Sequence, residues 1–432
     1  MKKELLSGVI AIAMTMASVG CGKENKNPEP EPTPEEPTPA NANTVLSFKM
    51  EGNRALMLSA EREFEVALTK NTGEDFSAEE DITCSLALAD NPQSLVNAYN
   101  SQKKAAFALL PEGTYSFEAS TIAKGAKGAS LKLKLNQAEI DKAFIASQKP
   151  FVLPVKIAPG NEVVSSKGYI YVVCPAYEEE GDNLIIHYSR EPEAKGVLYN
   201  YKGSVERAVL LCPGGAYSDI PENDIQWVVS GNNGFMNMAQ ATNSMFAALY
   251  YSYPHTKYYS HPFEDAYDLL SLVRARKGEW GGYDKVGVWG MASGGHIATT
   301  LVVNVPEMLD FQILMTPLVT MQKDGTQDGA CRSLLGDDPS QDLRDALSNE
   351  KHTAAGNPPA YIAYAANDQS FSMEKNAVAY EAALKANGVA VEIHSYNHNK
   401  HNQWWAWTAK TGDVDFQASV KEFLKRFTTS GK

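Results

Sequence analysis

What the sequence has little of sets its limits. It carries five cysteines in 432 residues, none of them in a C-x-x-C spacing, so no zinc ribbon or disulfide framework is suggested. Of its eight histidines, His394, His398 and His401 would have metal-ligand spacing only on a helix. Asn397 and Asn399 between them point to a loop, so no metal site is expected. No G-x-G-x-x-G follows a strand and no P-loop pattern occurs, so no nucleotide cofactor is expected. An excess of positive charge is missing too. The net charge of -13 argues against nucleic acid and anionic membrane surfaces as partners.

What is present is ordinary for a globular protein, with 44% hydrophobic and 21% charged residues. A chain of 432 residues is long for one domain, and two are expected. The first residues read as an address. Lys2 and Lys3 precede an apolar run from Leu5 to Val19, too short for a membrane span, and small residues lead to Cys21. Ser18-Val19-Gly20-Cys21 resembles a bacterial lipobox. The resemblance implies a signal peptide over 1–20, lipidation of Cys21 and an envelope lipoprotein held to the membrane by its lipid alone. Residues 21–44 carry Pro28-Glu29-Pro30-Glu31-Pro32. Proline fixes φ and removes donors while the charges repel, so this segment is expected to stay extended as a stalk.

Residues 45–178 read as strands. Ile82–Leu88 and Tyr169–Val173 are short apolar runs, and Leu131–Asn136 alternates apolar residues with Lys and Asn. The expectation is an all-β sandwich. Cys84 and Cys174, both on these strands, either pair or stay as buried thiols. Leu95–Asn100, Leu109-Leu110-Pro111, Phe151–Val155 and Ser165–Gly168 resemble a β-sandwich domain of unknown function. That domain stands at the N-terminus of many gut-bacterial surface lipoproteins, which implies a spacer or glycan-contact role.

Over 183–428 the grammar changes to strands alternating with helices. Ala208–Cys212, Met245–Tyr251, Val286–Trp289, Phe311–Met315, Ala360–Tyr364 and Val389–Tyr396 are apolar, and Pro262–Arg276 has helical spacing. Continuous apolar strands predict a mostly parallel sheet with helices on both faces. Ligands of such sheets gather at the carboxyl ends of the strands. There stand the turn Pro213-Gly214-Gly215-Ala216-Tyr217, the segment Gly290-Met291-Ala292-Ser293-Gly294, then Asp368, then His401. A strand–turn–helix carrying G-x-S-x-G is the nucleophile elbow of an α/β-hydrolase, followed in the chain by an acid and a histidine. Here Ala292 stands midway between Gly290 and Gly294, and the serine is its neighbour, Ser293.

The second unit resembles the acetylxylan-esterase-like, carbohydrate-esterase branch of the α/β-hydrolases. Cys212–Tyr217 matches C-P-G-G-G-Y, with Ala216 for the third glycine. Pro262–Ala266 matches P-L-x-D-A, and Gly290–His296 matches G-F-S-A-G-G-H. Asp368 and His401 fall on the acid and the histidine, although Asn402 replaces a glycine, and Tyr251-Ser252 stands where Tyr-Arg is usual. The resemblance implies His401 as base, Asp368 as its orienter, and an oxyanion site from the N–H groups of Gly215, Ala216 and Ser293. Asp265 belongs to the shared motif, and its place after a strand and turn fits loop bracing; His296, which follows the elbow, is expected to be structural. The resemblance also implies a glycan ester as substrate, or a glycan as ligand.

Departures gather at the chemistry, so the expectation is a hydrolase homologue impaired at Ala292. The alternative is an active acetyl or feruloyl esterase using Ser293 with His401 and Asp368. Adjacent Cα atoms lie about 3.8 Å apart, whereas catalytic placement tolerates about 0.5 Å, which favours the first. Loss of the serine in such an enzyme lowers kcat on the order of a millionfold. Trp404, Trp405 and Trp407 suit a packed C-terminal helix better than a sugar-stacking platform.

Overall fold

The computed structural model describes residues 41, 43–160, 164–191, 193–231, 237–252, 259–323, 328–397, 401 and 415–429. The signal segment, Cys21 and the expected stalk up to residue 40 lie outside the described residues, as do His398, Asn402 and the three tryptophans at 404, 405 and 407, while Thr44 at the end of that stalk already belongs to a strand. The chain divides into two units between Ala176 and Tyr177. Among the described residues no helix is long and apolar enough to cross a membrane.

The first unit is built by alternation. Its strands are β1 (Thr44–Phe48), β2 (Arg54–Leu56), β3 (Glu61–Lys70), β4 (Ile82–Leu88), β5 (Ala108–Leu109) and β6 (Tyr115–Glu118). They continue as β7 (Ser120–Ile122), β8 (Gly128–Leu135), β9 (Phe151–Pro159), β10 (Val164–Lys167) and β11 (Tyr169–Cys174). In β8, Leu131, Leu133 and Leu135 are buried, while Lys132 and Lys134 on the other face pair with Glu61 and Glu118. The strands form two sheets, β10-β1-β3-β8-β6 and β2-β11-β9-β4-β7, with β5 beside β9. Leu46, Val66 and Leu131 of one sheet share a core with Leu86, Leu153 and Val172 of the other. This is the expected sandwich. The structure adds two helices to it, α1 (Pro92–Lys103) and α2 (Gln137–Ser147). Pro92 starts α1, whose Val96 and Tyr99 are buried, and α2 buries Ile140 and Phe144 at i,i+4.

The register excludes the Cys84–Cys174 disulfide that the sequence left open. Cys84 lies opposite Pro159 at one end of β9, and Cys174 opposite Phe151 at the other. Those ends are about 26 Å apart along the strand, whereas a disulfide needs Cα atoms within about 7 Å. Both thiols are free and buried.

The second unit is one nine-stranded sheet. Its strands are β12 (Ala176–Glu180), β13 (Asn183–His187), β14 (Lys195–Tyr199), β15 (Arg207–Cys212) and β16 (Ser244–Tyr250). Then come β17 (Val286–Met291), β18 (Phe311–Met315), β19 (Ala360–Ala365) and β20 (Val391–Tyr396). The order is β12-β13-β14-β16-β15-β17-β18-β19-β20, parallel from β16 to β20. Every residue of β15, β17 and β18 is buried, as a sheet covered on both faces requires. Val209, Leu211, Trp289 and Met291 pack with the C-terminal helix Phe416–Leu424 and with α3 (Glu222–Val229). The short α4 (Met238–Ala241) follows α3; α5 (His261–Ala275) and α6 (Ser293–Asn304) pack against each other and the sheet.

From β15 the chain runs to β16 on one side and returns to β17 on the other. That reversal of strand order is a topological switch point, where ligands of such sheets gather. The loops leaving β15 and β17 are the glycine-rich turn and the elbow.

Candidate active site

Close packing dictates the elbow. A Cβ on Gly290 would stand 2.6 Å from the Gly294 carbonyl oxygen, and one on Gly294 would stand 2.0 Å from that of Cys212. Only glycine lets β17 turn into α6 this tightly against the end of β15. Between them Ala292 takes φ 49° and ψ -121°, a backbone that costs an L-residue energy and persists only where its surroundings impose it. They do so here. The Ala292 N–H donates to the Met315 carbonyl at 3.1 Å, and its own carbonyl accepts from Leu318 at 2.8 Å and Gly295 at 2.9 Å. Ala292 is buried and presents a methyl group. The point where a Gly214 Cβ would stand is 3.1 Å from that methyl, so the turn after β15 lies directly against it.

That turn is held from behind. Gly215, Ala216 and Tyr217 all have positive φ, at 99°, 52° and 58°. The Tyr251 hydroxyl donates to the Gly214 carbonyl at 2.6 Å. A trans peptide sets its C=O and N–H in opposite directions, so this bond also fixes where the Gly215 N–H aims. Among the described residues neither the Gly215 N–H nor the Ser293 N–H has a partner. The Ala216 N–H does, donating to Ser293 Oγ at 2.9 Å. Of the three N–H groups expected to meet an oxyanion, the one on Ala216 is engaged. Tyr217 sends its hydroxyl to His296 Nδ1 at 2.6 Å, and His296 Nε2 donates to the Leu347 carbonyl at 2.7 Å. Burial lowers the His296 pKa to about 4, which keeps the ring neutral as this pattern of one acceptor and one donor nitrogen demands.

Asp368 and His401 meet. His401 Nδ1 lies 2.6 Å from Asp368 Oδ2, and the other carboxylate oxygen accepts from the Ser370 N–H at 2.7 Å. The Asp368 side chain is fully buried. A carboxylate on Nδ1 holds the proton there and leaves Nε2 as the basic nitrogen. The Phe371 ring stands edge-on to the imidazole at 4.5 Å. Asp368 follows β19 and Ala292 follows β17, so their strands are about 10 Å apart on one sheet edge. Among the described residues no hydrogen bond joins Ser293 to His401; Ser293 Oγ accepts from the turn instead.

Asp265 braces a loop. It accepts from the Ser252 N–H at 2.8 Å and from the hydroxyls of Ser252 and Ser189, each at 2.6 Å. Burial pushes its carboxyl up, against the pull of Arg190 and these donors. Three residues at the site carried no separate expectation. Tyr251 anchors the turn; the buried Asp224 carboxyl lies 3.2 Å from where a Gly214 Cβ would stand. Thr316, in register beyond Met315, has φ 37° and a buried hydroxyl with no partner among the described residues. Its position just past a strand end was the available signal. His394 is on β20, with Nε2 3.1 Å from Glu392, away from a loop cluster with His401.

Comparison with known proteins agrees with the topology. Residues 223–404 match the family model described as "alpha/beta hydrolase fold". Residues 39–163 match a second model, described as an N-terminal domain. No curated protein matches the chain. Among solved structures, an acetyl ester-xyloside bifunctional hydrolase from Caldicellulosiruptor lactoaceticus is 20% identical. That match covers 54% of this chain and 88% of the other, with a TM-score of 0.46. The carboxylesterase Cest-2923 from Lactobacillus plantarum is 14% identical over 60% of this chain and 98% of its own, with a TM-score of 0.45. A truncated carbohydrate esterase from gut microbiota is 13% identical over 54% and 90%, with the same TM-score of 0.45. The sheet order, the elbow and the family model matched over residues 223–404 show that the C-terminal unit has the α/β-hydrolase fold.

Proposed function

We propose that this protein is an envelope lipoprotein whose hydrolase domain descends from carbohydrate esterases, has lost its nucleophile, and binds glycan esters without turning them over. One observation carries this: Ala292 keeps the elbow backbone, at φ 49° and ψ -121°, with a methyl where a serine hydroxyl is needed. The neighbouring Ser293 hydroxyl is bound to the Ala216 N–H. Without a nucleophile, kcat falls on the order of a millionfold, which leaves no useful turnover. The glycan class comes from the sequence motifs Cys212–Tyr217, Pro262–Ala266 and Gly290–His296. Anchoring comes from Lys2, Lys3, the apolar run and Cys21, and the stalk would hold the body off the membrane.

A second reading is an active esterase, with Ser293 as nucleophile. What favours it is the Asp368–His401 pair at 2.6 Å, an orienter and base kept together. Hydrolysis of aryl acetates and acetylated xylan by the full chain, beside Ala292→Ser and Ser293→Ala, decides between them. The first reading expects an inert native protein and activity in Ala292→Ser. The second expects native turnover that Ser293→Ala abolishes.

A further inference from the structure

We infer that Ser293 is a lock on the oxyanion side of the cleft, so that turnover is blocked twice: by the missing hydroxyl at Ala292 and by the capped N–H of Ala216. The inference rests on the proposed function, because a lock matters only in a site that once stabilised an oxyanion.

The geometry is a closed one. Three backbone N–H groups border the turn, and two of them, on Gly215 and Ser293, have no partner among the described residues. The third donates to Ser293 Oγ at 2.9 Å across 77 positions of sequence. The Ser293 hydroxyl is buried, so water does not compete for it freely. Both ends of the bond are held: Tyr251 grips the Gly214 carbonyl at 2.6 Å, and Met315 and Leu318 grip Ala292 at 3.1 and 2.8 Å. Ala216 and Tyr217 also sit at φ 52° and 58°, where residues other than glycine are strained, and the serine bond helps keep them there.

The consequence follows from how such donors work. An oxyanion hole accelerates because its N–H groups already point at the developing charge and need no reorganisation. When an ester carbonyl is attacked, the carbonyl π electrons move onto oxygen, and that oxygen must be met by donors. Here the Ala216 N–H would first have to leave Ser293 Oγ before it could meet the new anion. An alanine at 293 has no atom that caps the donor.

The test is aryl-acetate kinetics on the full chain with four proteins: native, Ser293→Ala, Ala292→Ser, and Ala292→Ser with Ser293→Ala. The first two are expected to match buffer. Ala292→Ser is expected to turn over, and the double variant to exceed it in kcat at least about tenfold, toward the roughly 10²–10³ that one donor is worth. KM should move less than about threefold, since the donor acts on the transition state. A double variant no faster than Ala292→Ser overturns the lock and leaves the proposed function standing. Silence from both variants that carry Ala292→Ser, with native melting temperatures, overturns the proposed function and the lock with it. If the double variant does not fold, Ala292→Ser with Ser293→Gly removes the same hydroxyl and is held to the same comparison.

Discussion

His401 Nδ1 and Asp368 Oδ2 stand 2.6 Å apart, and the pair is complete on a sheet edge whose elbow carries an alanine. On the proposed function, this buried carboxylate sets the imidazole tautomer of the base and the methyl of Ala292 is the specific defect. In an Ala292→Ser background, Asp368→Asn should therefore lower kcat by about 10⁴-fold, because the asparagine sets the wrong tautomer. Steady-state aryl-acetate kinetics checks this. A loss below about tenfold would mean that His401 is not the base.

His296 makes stability depend on pH. Burial lowers its pKa to about 4, below the ordinary 6.5 of the unfolded chain. Between those values the unfolded state binds the extra proton, so stability rises with pH there. The contribution is full above about pH 6.5 and is lost as pH falls toward 4, by roughly 3 kcal/mol in all. Glu191, pushed up to about 7, works in the opposite direction over an overlapping window, and His187, lowered to about 4, works in the same direction as His296. The His296 share is thus the difference between native protein and His296→Asn in urea unfolding at pH 5 and pH 7. The native protein should lose more stability on acidification than the variant.

Much of the fold was readable because its strands are unusually plain. β15, β17 and β18 are buried at every position, so they appear in the sequence as apolar runs, and the loops after β15 and β17 announce themselves by glycine. Asp368 was readable because it lies just past the apolar β19, and His401 because it follows the last strand, in the order elbow, acid, histidine. The Ser293–Ala216 bond was not, since it joins positions 77 apart through the unusual φ of Ala216. Tyr251 was noted only beside its neighbour Ser252, because a hydroxyl that anchors a carbonyl leaves no local pattern. In the sandwich, α1 and α2 were hidden by brevity: each buries two residues, Val96 with Tyr99 and Ile140 with Phe144, too few to mark a helical period. The cysteines stayed open between pairing and free thiols because two strands of one sheet need not bring their residues to the same end.

The elbow glycines should tolerate nothing larger. Gly294→Ala would put its Cβ 2.0 Å from the Cys212 carbonyl oxygen, a backbone atom that cannot swing aside. Denaturant unfolding should show a loss of about 1–3 kcal/mol or more. Gly356→Ala, whose Cβ would meet nothing within 4 Å, serves as the control and should change stability by less than about 0.5 kcal/mol.

The most direct test of a silenced elbow is intact-mass analysis after incubation with a fluorophosphonate. An activated serine oxygen displaces fluoride and keeps the phosphonyl group, and a methyl group cannot. The native chain and Ser293→Ala should remain at their own masses, and Ala292→Ser should gain one adduct that maps to position 292. An adduct on the native protein at Ser293, lost in Ser293→Ala, would contradict the account and make this an active esterase with a displaced nucleophile.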